Sequence, residues 1–424
     1  MTVLRFHRFP QALLKGIALA SFALGAQGAE PQVPQSTTVL AFGGANTLFV
    51  ADSVGGRIYA YELGGLMNAS DSVDSAPFNL EQFGTALADH LKVRTRDLRF
   101  NDLAVHPVTK DAFVSLSISV ADAAPSPAIV RVSADGAIHQ LPLQKLPSTS
   151  MPLEQLADDG VTFWRAIPAS TFAVTDLDFA DGVLYVSGLS TGEFASTLRQ
   201  IPYPFSAQGM STSSVEIFHT AHGQQETRAP IRAMTVVNLD GKPTVVAAYT
   251  CTPLVTFDVA SLEDGKHVVG KTVGELGYGN TPLEVVSFTA YNAEREAERF
   301  VLVINREMDA DLIPLPALEA AVDAPGLTEV VQIGSSNGVS SMPLPLGGTL
   351  QAADQDPQYL LTLRRDLDSG DMELVSFRKG AYMRVSTFVS EYNFPDYKYD
   401  DSQDGARMFQ NLLKVDEGFP EAVK

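Results

Sequence analysis

The chain has 424 residues, 45% of them hydrophobic, and a formal net charge of -20 at pH 7 because 50 Asp and Glu outnumber 30 Lys and Arg. An acidic excess of this size repels phosphate groups, so it argues against electrostatic binding to nucleic acid or anionic lipid. The length allows two average domains or one large all-β domain.

The N-terminus has the pattern of a secretory signal peptide. Arg5, Arg8 and Lys15 precede a short apolar run over residues 16–25, and small residues follow. Because this run is too short for a stable bilayer anchor, we predict no membrane span. Residues 1–28 are therefore predicted to be a signal peptide, and the protein is predicted to be periplasmic or secreted.

The clearest structural signal is a β-hairpin near the middle of the chain. A β-rich run over 173–179 and a second over 183–187 flank the pair Asp181 and Gly182. An Asp-Gly pair between such runs is typical of a tight type I′ turn.

The pattern of two β-rich runs joined by a short turn recurs along the chain. Second strands of similar units are predicted to begin near 48, 112, 183, 244, 300 and 359. Four-stranded units repeated about every 60 residues, without a helical pattern between them, are typical of a β-propeller.

We therefore predict an all-β fold, a β-propeller domain over residues 37–390 with six blades of four-stranded antiparallel sheets. Seven blades are the alternative, if the insertion at 144–171 contains another. The predicted outer strands of the last three units are 266–273, 327–333 and 382–389.

The tail at 391–424 departs from the repeat, because tyrosines and phenylalanine alternate with aspartates. We expect it to pack on the propeller or to close the ring. Docking of a partner is the alternative.

In a propeller, loops that join one blade to the next share one face with loops between second and third strands. Hairpin turns between first and second strands lie on the other face. Sites usually lie on the first face because its loops vary freely on a rigid scaffold. His106 is expected at the opposite end. The residues expected on the loop face are Arg94, Arg96, Arg99, His219, His222, Glu226, Arg228, Cys251 and Thr252.

The densest group on that face is His219, His222 and Cys251, with Glu226 and Arg228 beside it. Imidazole and thiolate suit copper or zinc. The alternatives are hydrogen bonding within the loop and a ligand pocket without metal. Since Cys251 is the only cysteine, an internal disulfide is excluded, and burial as a small apolar side chain is the other interpretation of this thiol.

Inner-strand carboxylates form a second candidate site. Asp102 and Asp176 occupy matching places in their strands, and Asn101 precedes the first of them. Together with loop carbonyls they could hold Ca²⁺ in the central channel. In the alternative, each aspartate accepts hydrogen bonds from backbone amides and ties one blade to the next.

Two Gly-x-Ser-x-Gly stretches, at 188–192 and 334–338, each follow a predicted strand. A nucleophile elbow needs a helix directly after the serine and a parallel sheet beneath it, and the sequence predicts neither. Both stretches are interpreted as loops.

The phrases at 101–107, 176–205, 214–232 and 248–254 resemble a family of uncharacterised secreted bacterial β-propeller proteins. The resemblance implies the fold and export, and no activity. In architecture alone the chain is similar to calcium-dependent lactonase propellers and to NHL-type binding propellers. The lactonase ligand pattern, a Glu and two Asn or Asp on inner strands, is not clearly met.

The leading functional hypothesis is an exported propeller that binds an unknown protein or small-molecule ligand on the loop face. The alternatives are a calcium- or other metal-dependent, lactonase-like hydrolase and a copper-handling or redox accessory protein. Enzyme activity is left open, and calcium, copper and the absence of any cofactor are all retained. The candidate ligand-binding residues are Arg96, Asn101, Asp102, Asp176, Glu226, Arg228 and Thr252.

Overall fold

The computed structural model describes residues 33–64, 76–120, 123–157, 160–163, 167–192, 194–206, 209–251, 253–277, 280–292, 295–332 and 335–379. The predicted signal peptide, the tail at 391–424 and the predicted strand at 382–389 lie outside these residues. Within them, no helix is long and apolar enough to cross a membrane.

The described residues form 29 short strands, two α-helices and three short 3₁₀-helices. The first elements in chain order are β1 (Leu40–Phe42), β2 (Thr47–Asp52), β3 (Arg57–Glu62), β4 (Asn79–Leu80), α1 (Phe83–Leu91), β5 (Leu98–Val105), β6 (Ala112–Ile118), β7 (Ser126–Val132), β8 (Ile138–Gln140), β9 (Ser148–Pro152), β10 (Thr162–Phe163) and β11 (Ile167–Pro168).

The following elements are β12 (Asp176–Ala180), β13 (Val183–Leu189), β14 (Ser196–Pro202), β15 (Ser211–His219), β16 (Gln224–Glu226), β17 (Ala233–Leu239), β18 (Lys242–Ala248), β19 (Pro253–Asp258), β20 (His267–Val269) and β21 (Lys271–Glu275). The last are β22 (Pro282–Tyr291), β23 (Ala297–Asn305), β24 (Ala310–Pro314), α2 (Leu315–Asp323), β25 (Asn337–Gly338), β26 (Met342–Leu344), β27 (Thr349–Asp354), β28 (Tyr359–Arg365) and β29 (Met372–Arg378).

Six antiparallel sheets form the blades of a propeller, which confirms the predicted fold class and blade number. From the inner to the outer strand, blade 1 is β1-β2-β3-β9, blade 2 is β5-β6-β7-β8 and blade 3 is β12-β13-β14-β15. Blade 4 is β17-β18-β19-β21, blade 5 is β22-β23-β24-β26 and blade 6 is β27-β28-β29-β4.

The Asp-Gly hairpin forms as predicted. Asp181 and Gly182 have φ of 50° and 81°, and Ala180 pairs with Val183 on either side of them. Asp240 and Gly241 repeat this geometry in blade 4, with φ of 46° and 81°. Positive φ at both central residues is what a type I′ turn requires.

Six hydrophobic cores lie between the blades, and they show which blades are neighbours. Separate cores join blades 1 and 3, 3 and 4, 4 and 5, and 5 and 6. A fifth core joins blades 6 and 2, and a sixth joins blades 2 and 1. The order around the ring is therefore 1-3-4-5-6-2, which differs from the order along the sequence.

The chain reaches this arrangement by passing blade 1 twice. After blade 1 it adds β4 to the outer edge of blade 6, builds α1 and blade 2, and then returns to add β9 to the outer edge of blade 1. Phe83 and Leu87 of α1 are buried in the core between blades 2 and 6. The outer strands of blades 6 and 1, β4 and β9, thus come from parts of the chain distant from the rest of those blades.

The insertion at 144–171 contributes β9 and the small β10-β11 ribbon, so within the described residues it forms no seventh blade. The fully buried Arg199 of blade 3 donates to the carbonyl oxygens of Ala173, Leu189 and Glu154. Those bonds fasten the insertion to blade 3.

Two of the predicted outer strands are wrong. Residues 327–332 form no strand, and β26 takes that place because α2 intervenes after β24. The segment 266–273 is divided between two blades, since β20 pairs in parallel with β15 of blade 3 while β21 belongs to blade 4. Short outer strands carry too little periodicity to be placed by pattern alone.

The ring order makes a prediction about energetic coupling. Leu116 of blade 2 and Leu363 of blade 6 are buried in one core, whereas Leu302 of blade 5 belongs to another. Each substitution to Ala should cost about 2–5 kcal/mol. In urea unfolding, the Leu116→Ala, Leu363→Ala pair should be non-additive, because both side chains belong to the one core that joins blades 2 and 6.

The matched control is the pair Leu116→Ala and Leu302→Ala, which should add within about 0.5 kcal/mol. Coupling in the control pair and additivity in the first would contradict the ring order.

Candidate functional site

The candidate site on the loop face begins where β15 ends, at a pair of histidines. His219 is buried, with 3% of its surface exposed, whereas His222 lies at the surface. A tight turn joins them, in which the backbone N–H groups of His222 and Gly223 donate to the His219 carbonyl oxygen. The two imidazole rings are stacked, with their centroids 4.2 Å apart and their planes at 6°.

The proton arrangement of His219 follows from its surroundings. Its Nε2 lies 3.1 Å from the carbonyl oxygen of Thr250, which can only accept, so Nε2 carries the hydrogen. Burial lowers the pKa of His219 and favours the neutral ring. The buried Nδ1 therefore presents a lone pair, and it has no partner in the described part of the chain.

Three loops meet at these histidines. The Thr220 hydroxyl donates to the carboxylate of Glu275, at the end of β21. The Cys251 N–H donates to the Asn280 carbonyl oxygen (2.9 Å), which joins the β18-β19 turn to the connection from blade 4 to blade 5. These contacts bring the predicted residues His219, His222 and Cys251 to one end of the propeller.

Two further features mark this end. The Asn280 side chain is buried, and its Nδ2 has no hydrogen-bond partner among the described residues. Cys251 is half-buried and has φ of 68°, a left-handed conformation that is uncommon outside glycine. Sequence reasoning missed Asn280, because a single Asn in a loop carries no pattern.

The other loop-face candidates have different roles or positions. Glu226 Oε1 accepts hydrogen bonds from the N–H groups of Thr227, Arg228 and Ala229, so this carboxylate holds its own loop. The side chain of Arg228 is exposed, and Thr252 lies outside the described residues.

Arg96 is exposed before β5, at the start of blade 2. The observed ring order places blade 2 across the channel from blade 4. The structure therefore does not bring Arg96 to His219. At the opposite end, His106 Nε2 lies 2.7 Å from the Ala45 carbonyl oxygen in the β1-β2 turn, as predicted.

Among the described residues, no three side chains of His, Cys, Asp or Glu are grouped closely enough to hold a metal ion. This finding gives no support to a copper or zinc site on His219, His222 and Cys251. It also gives none to a calcium site in the channel. Both stay predictions.

The channel aspartates tie neighbouring blades together. Asp102 of blade 2 accepts from the Leu40 N–H of blade 1 (2.6 Å), and Asp176 of blade 3 accepts from the Met234 N–H of blade 4 (2.6 Å). Asn101 donates to the Thr37 carbonyl oxygen (2.8 Å) and so also joins blades 2 and 1. This is the interblade role that we set against calcium binding.

Three channel carboxylates were missed by sequence reasoning, namely Asp178, Glu284 and Asp354. Asp178 accepts from the Val236 N–H (2.6 Å) and the Thr235 hydroxyl (3.0 Å). Glu284 lies on β22, so Asp102, Asp176 and Glu284 stand on alternate blades of the ring. They line a channel cavity of about 230 Å³. An acidic residue on an inner strand was the available signal.

Burial dominates the protonation of these groups. It raises the pKa of Asp102 to about 7. Burial and the neighbouring carboxylates also raise the pKa of Asp176 and of Glu284 well above their ordinary values. Arg232 lies near Asp176, and burial lowers the pKa of that guanidinium.

No known protein family matches the chain, and no curated protein matches it significantly. Similar solved structures include the extracellular domains of Drosophila Semaphorin 1b, at 10% identity and a TM-score of 0.31, over 81% of this chain and 87% of that one. Drosophila Plexin A in complex with Semaphorin 1b is similar at 10% identity and a TM-score of 0.32, over 86% and 91%.

The PQQ-bound aldose sugar dehydrogenase of Streptomyces coelicolor is similar at 10% identity and a TM-score of 0.26, over 81% of this chain and 94% of that one. TM-scores this low carry no argument. The propeller fold is established by the sheets and cores described above.

The channel predicts a pH dependence of stability. Because the folded pKa of Asp102 is raised from its ordinary 3.8 to about 7, the folded state binds more protons between these values, and stability falls as pH rises through that window. Asp102→Asn, which keeps an acceptor oxygen for Leu40, should flatten the fall by on the order of 2 kcal/mol or more. Urea unfolding from pH 4 to 8 measures this.

Asp176, Asp178, Glu284 and Asp354 also line the channel, and Arg232 interacts with Asp176, so part of the slope should remain in the variant. Asp368→Asn, at an exposed turn, is the control and should leave the slope unchanged. The raised pKa of Asp102 would be contradicted if the wild-type protein were more stable at pH 7 than at pH 5 and Asp102→Asn removed that difference.

Proposed function

We propose that this protein is an exported propeller that binds a small polar ligand or a partner's polar side chain at the loop-face site around His219. The lone pair on the buried Nδ1 of His219 is the observation that carries the proposal. A buried polar atom without a partner costs about 1–3 kcal/mol, and a ligand that donates a hydrogen bond to it recovers that cost.

The rest of the site supplies complementary groups. Asn280 Nδ2 is a buried donor without a partner in the described residues, and Asn280 is joined to the same loop cluster through the Cys251 N–H. The exposed His222 ring stacks on His219 and presents a flat face. Together they suit a planar ligand with donor and acceptor groups, such as an amide or a heteroaromatic ring.

Export is supported by the N-terminal sequence. A basic start, a short apolar run and a small-residue exit within residues 1–28 favour cleavage and release to the periplasm or the medium. A single cysteine, Cys251, is compatible with an oxidising compartment because no internal disulfide is available to form incorrectly.

A copper-handling or redox role is the second candidate. The observation that favours it is the free lone pair of His219 on the same loop cluster as the half-buried thiol of Cys251. Imidazole nitrogen and thiolate sulfur are the ligands that copper prefers. A calcium-dependent hydrolase in the channel has less support, because Asp102 and Asp176 each use one oxygen to tie neighbouring blades.

The test uses the full chain purified from the periplasm of an expression host. Native mass spectrometry and elemental analysis identify any molecule or metal that co-purifies. Thermal shift assays then probe Cu²⁺, Zn²⁺ and Ca²⁺ singly, together with a panel of small amides and heteroaromatics. A ligand at about 100 times its Kd stabilises the folded protein by about 2.7 kcal/mol.

We expect that stabilisation to be lost in His219→Gln and kept in His139→Gln, an exposed histidine on blade 2 that serves as the matched control. Bound copper that is lost with His219 would favour the second candidate. If no probe and no co-purified molecule distinguishes the two variants, the proposal is wrong.

A further inference from the structure

A hydrogen-bonded chain of serine, histidine and glutamate lies at the outer edge of blade 3. Ser214 and Glu216 are two residues apart on β15, so their side chains share one face of the strand. His267 comes from β20, which runs parallel to β15 and pairs opposite Ser214. Ser214 Oγ lies 2.9 Å from His267 Nδ1, and His267 Nε2 lies 2.9 Å from Glu216 Oε2.

These distances define the roles of the two ring nitrogens. The Glu216 carboxylate, when ionised, can only accept, so Nε2 of His267 carries the hydrogen and Nδ1 presents its lone pair to Ser214. A serine hydroxyl that donates to a neutral imidazole, with the imidazole oriented by a carboxylate, is the arrangement that activates a serine nucleophile. In serine proteases the same roles fall on opposite ring nitrogens.

The surrounding contacts hold the imidazole in place. The Phe194 ring stacks on the His267 ring, with centroids 4.0 Å apart. The amide of Gln225, turned with its nitrogen toward Glu216, donates to Oε1 at 3.2 Å. The backbone N–H of Ser214 donates to the Lys266 carbonyl oxygen at 3.0 Å. The chain of three side chains is therefore held from both strands.

Solvent and substrate can reach the hydrogen-bonded side chains of Ser214, His267 and Glu216. The side chains of His267 and Glu216 are 30% and 19% exposed. Ser214 lines a cleft of about 910 Å³ between the outer strands of blades 1 and 3. This volume lies within the range of small-molecule sites, roughly 300–1,000 Å³.

The lining of the cleft indicates the class of substrate. Apolar side chains are contributed by Met151, Phe194, Phe205 and Met210. The charged lining residues are Glu154, Asp264 and Lys266, and the Lys266 ammonium is paired with Glu263 (2.5 Å). An apolar wall beside a hydroxyl nucleophile suits an ester with a short acyl chain.

We propose that Ser214 is the nucleophile of an acyl-ester hydrolase site in this cleft, with His267 as general base and acid and Glu216 as a positioning residue. Ser214 Oγ forms a bond to the acyl carbon while its proton passes to His267 Nδ1. The ester C–O bond then breaks, and the leaving alkoxide takes that proton. Water attacks the acyl-serine by the same proton transfers, which releases the carboxylic acid and restores Ser214.

This site is separate from the one around His219. It uses the strand face that carries Ser214 and Glu216, whereas the neighbouring residues Val215 and Ile217 point into the core shared with blade 4. Its three reacting side chains come from paired strands rather than from either Gly-x-Ser-x-Gly stretch, although Ser190 and Gly192 of the first stretch line the cleft. Failure of one proposal leaves the other standing.

The test combines covalent labelling with turnover. The full chain is treated with a fluorophosphonate probe, and the modified peptide is located by mass spectrometry; p-nitrophenyl butyrate hydrolysis gives kcat and KM. We expect the label on Ser214 and none in Ser214→Ala. His267→Gln should slow labelling by about 100-fold or more.

Glu216→Gln keeps an acceptor for Nε2 and removes the charge, so kcat should fall by about 10-fold with KM unchanged, as for a group that acts in the transition state. Ser119→Ala, at an exposed serine of blade 2 outside the cleft, is the control and should label at the wild-type rate. Circular dichroism checks that each variant is folded. Wild-type protein that labels no better than a heat-denatured sample, or that labels at a serine other than Ser214, overturns the proposal.

Discussion

The whole structure depends on the burial of apolar surface between neighbouring blades. Each sheet is too small to be stable alone, and each buries both faces against the next, so six cores must close into one ring. The seam between blades 6 and 2 is the critical one. There β4 pairs with β29, and α1 fills the space between the sheets. The ring closes through a segment that the chain lays down before it builds blade 2.

The order of blades decides which side chains can act together. Blade 2 lies between blades 1 and 6, so the loop that carries Arg96 is across the channel from the one that carries Cys251. The connection that returns from blade 2 supplies β9, and β9 forms one wall of the cleft at Ser214. A ring in sequence order would have placed blade 2 beside blade 3 and built a different wall.

Polar groups inside the ring fall into two classes. Asp102, Asp176 and Asp178 accept backbone hydrogen bonds from neighbouring blades, so their burial serves the architecture even though it raises their pKa. His219 Nδ1 and Asn280 Nδ2 have no partner in the described residues, and they lie at one end of the propeller. The proposed ligand site around His219 is based on these two atoms.

The sequence by itself determined the fold class, the number of blades, the Asp181-Gly182 hairpin and the position of the second strand in each blade, because strand alternation and turn chemistry act over a few neighbouring residues. It also predicted, from the geometry of repeated hairpins, that His219 and Cys251 lie on one face. Only the tertiary structure decided the ring order, the blades to which β4 and β9 belong, and the contact of Ser214 with His267. These features depend on pairing between strands that are far apart along the chain. Burial of a whole blade face outweighs local strand preference there, and no short-range sequence pattern identifies the pairing partner.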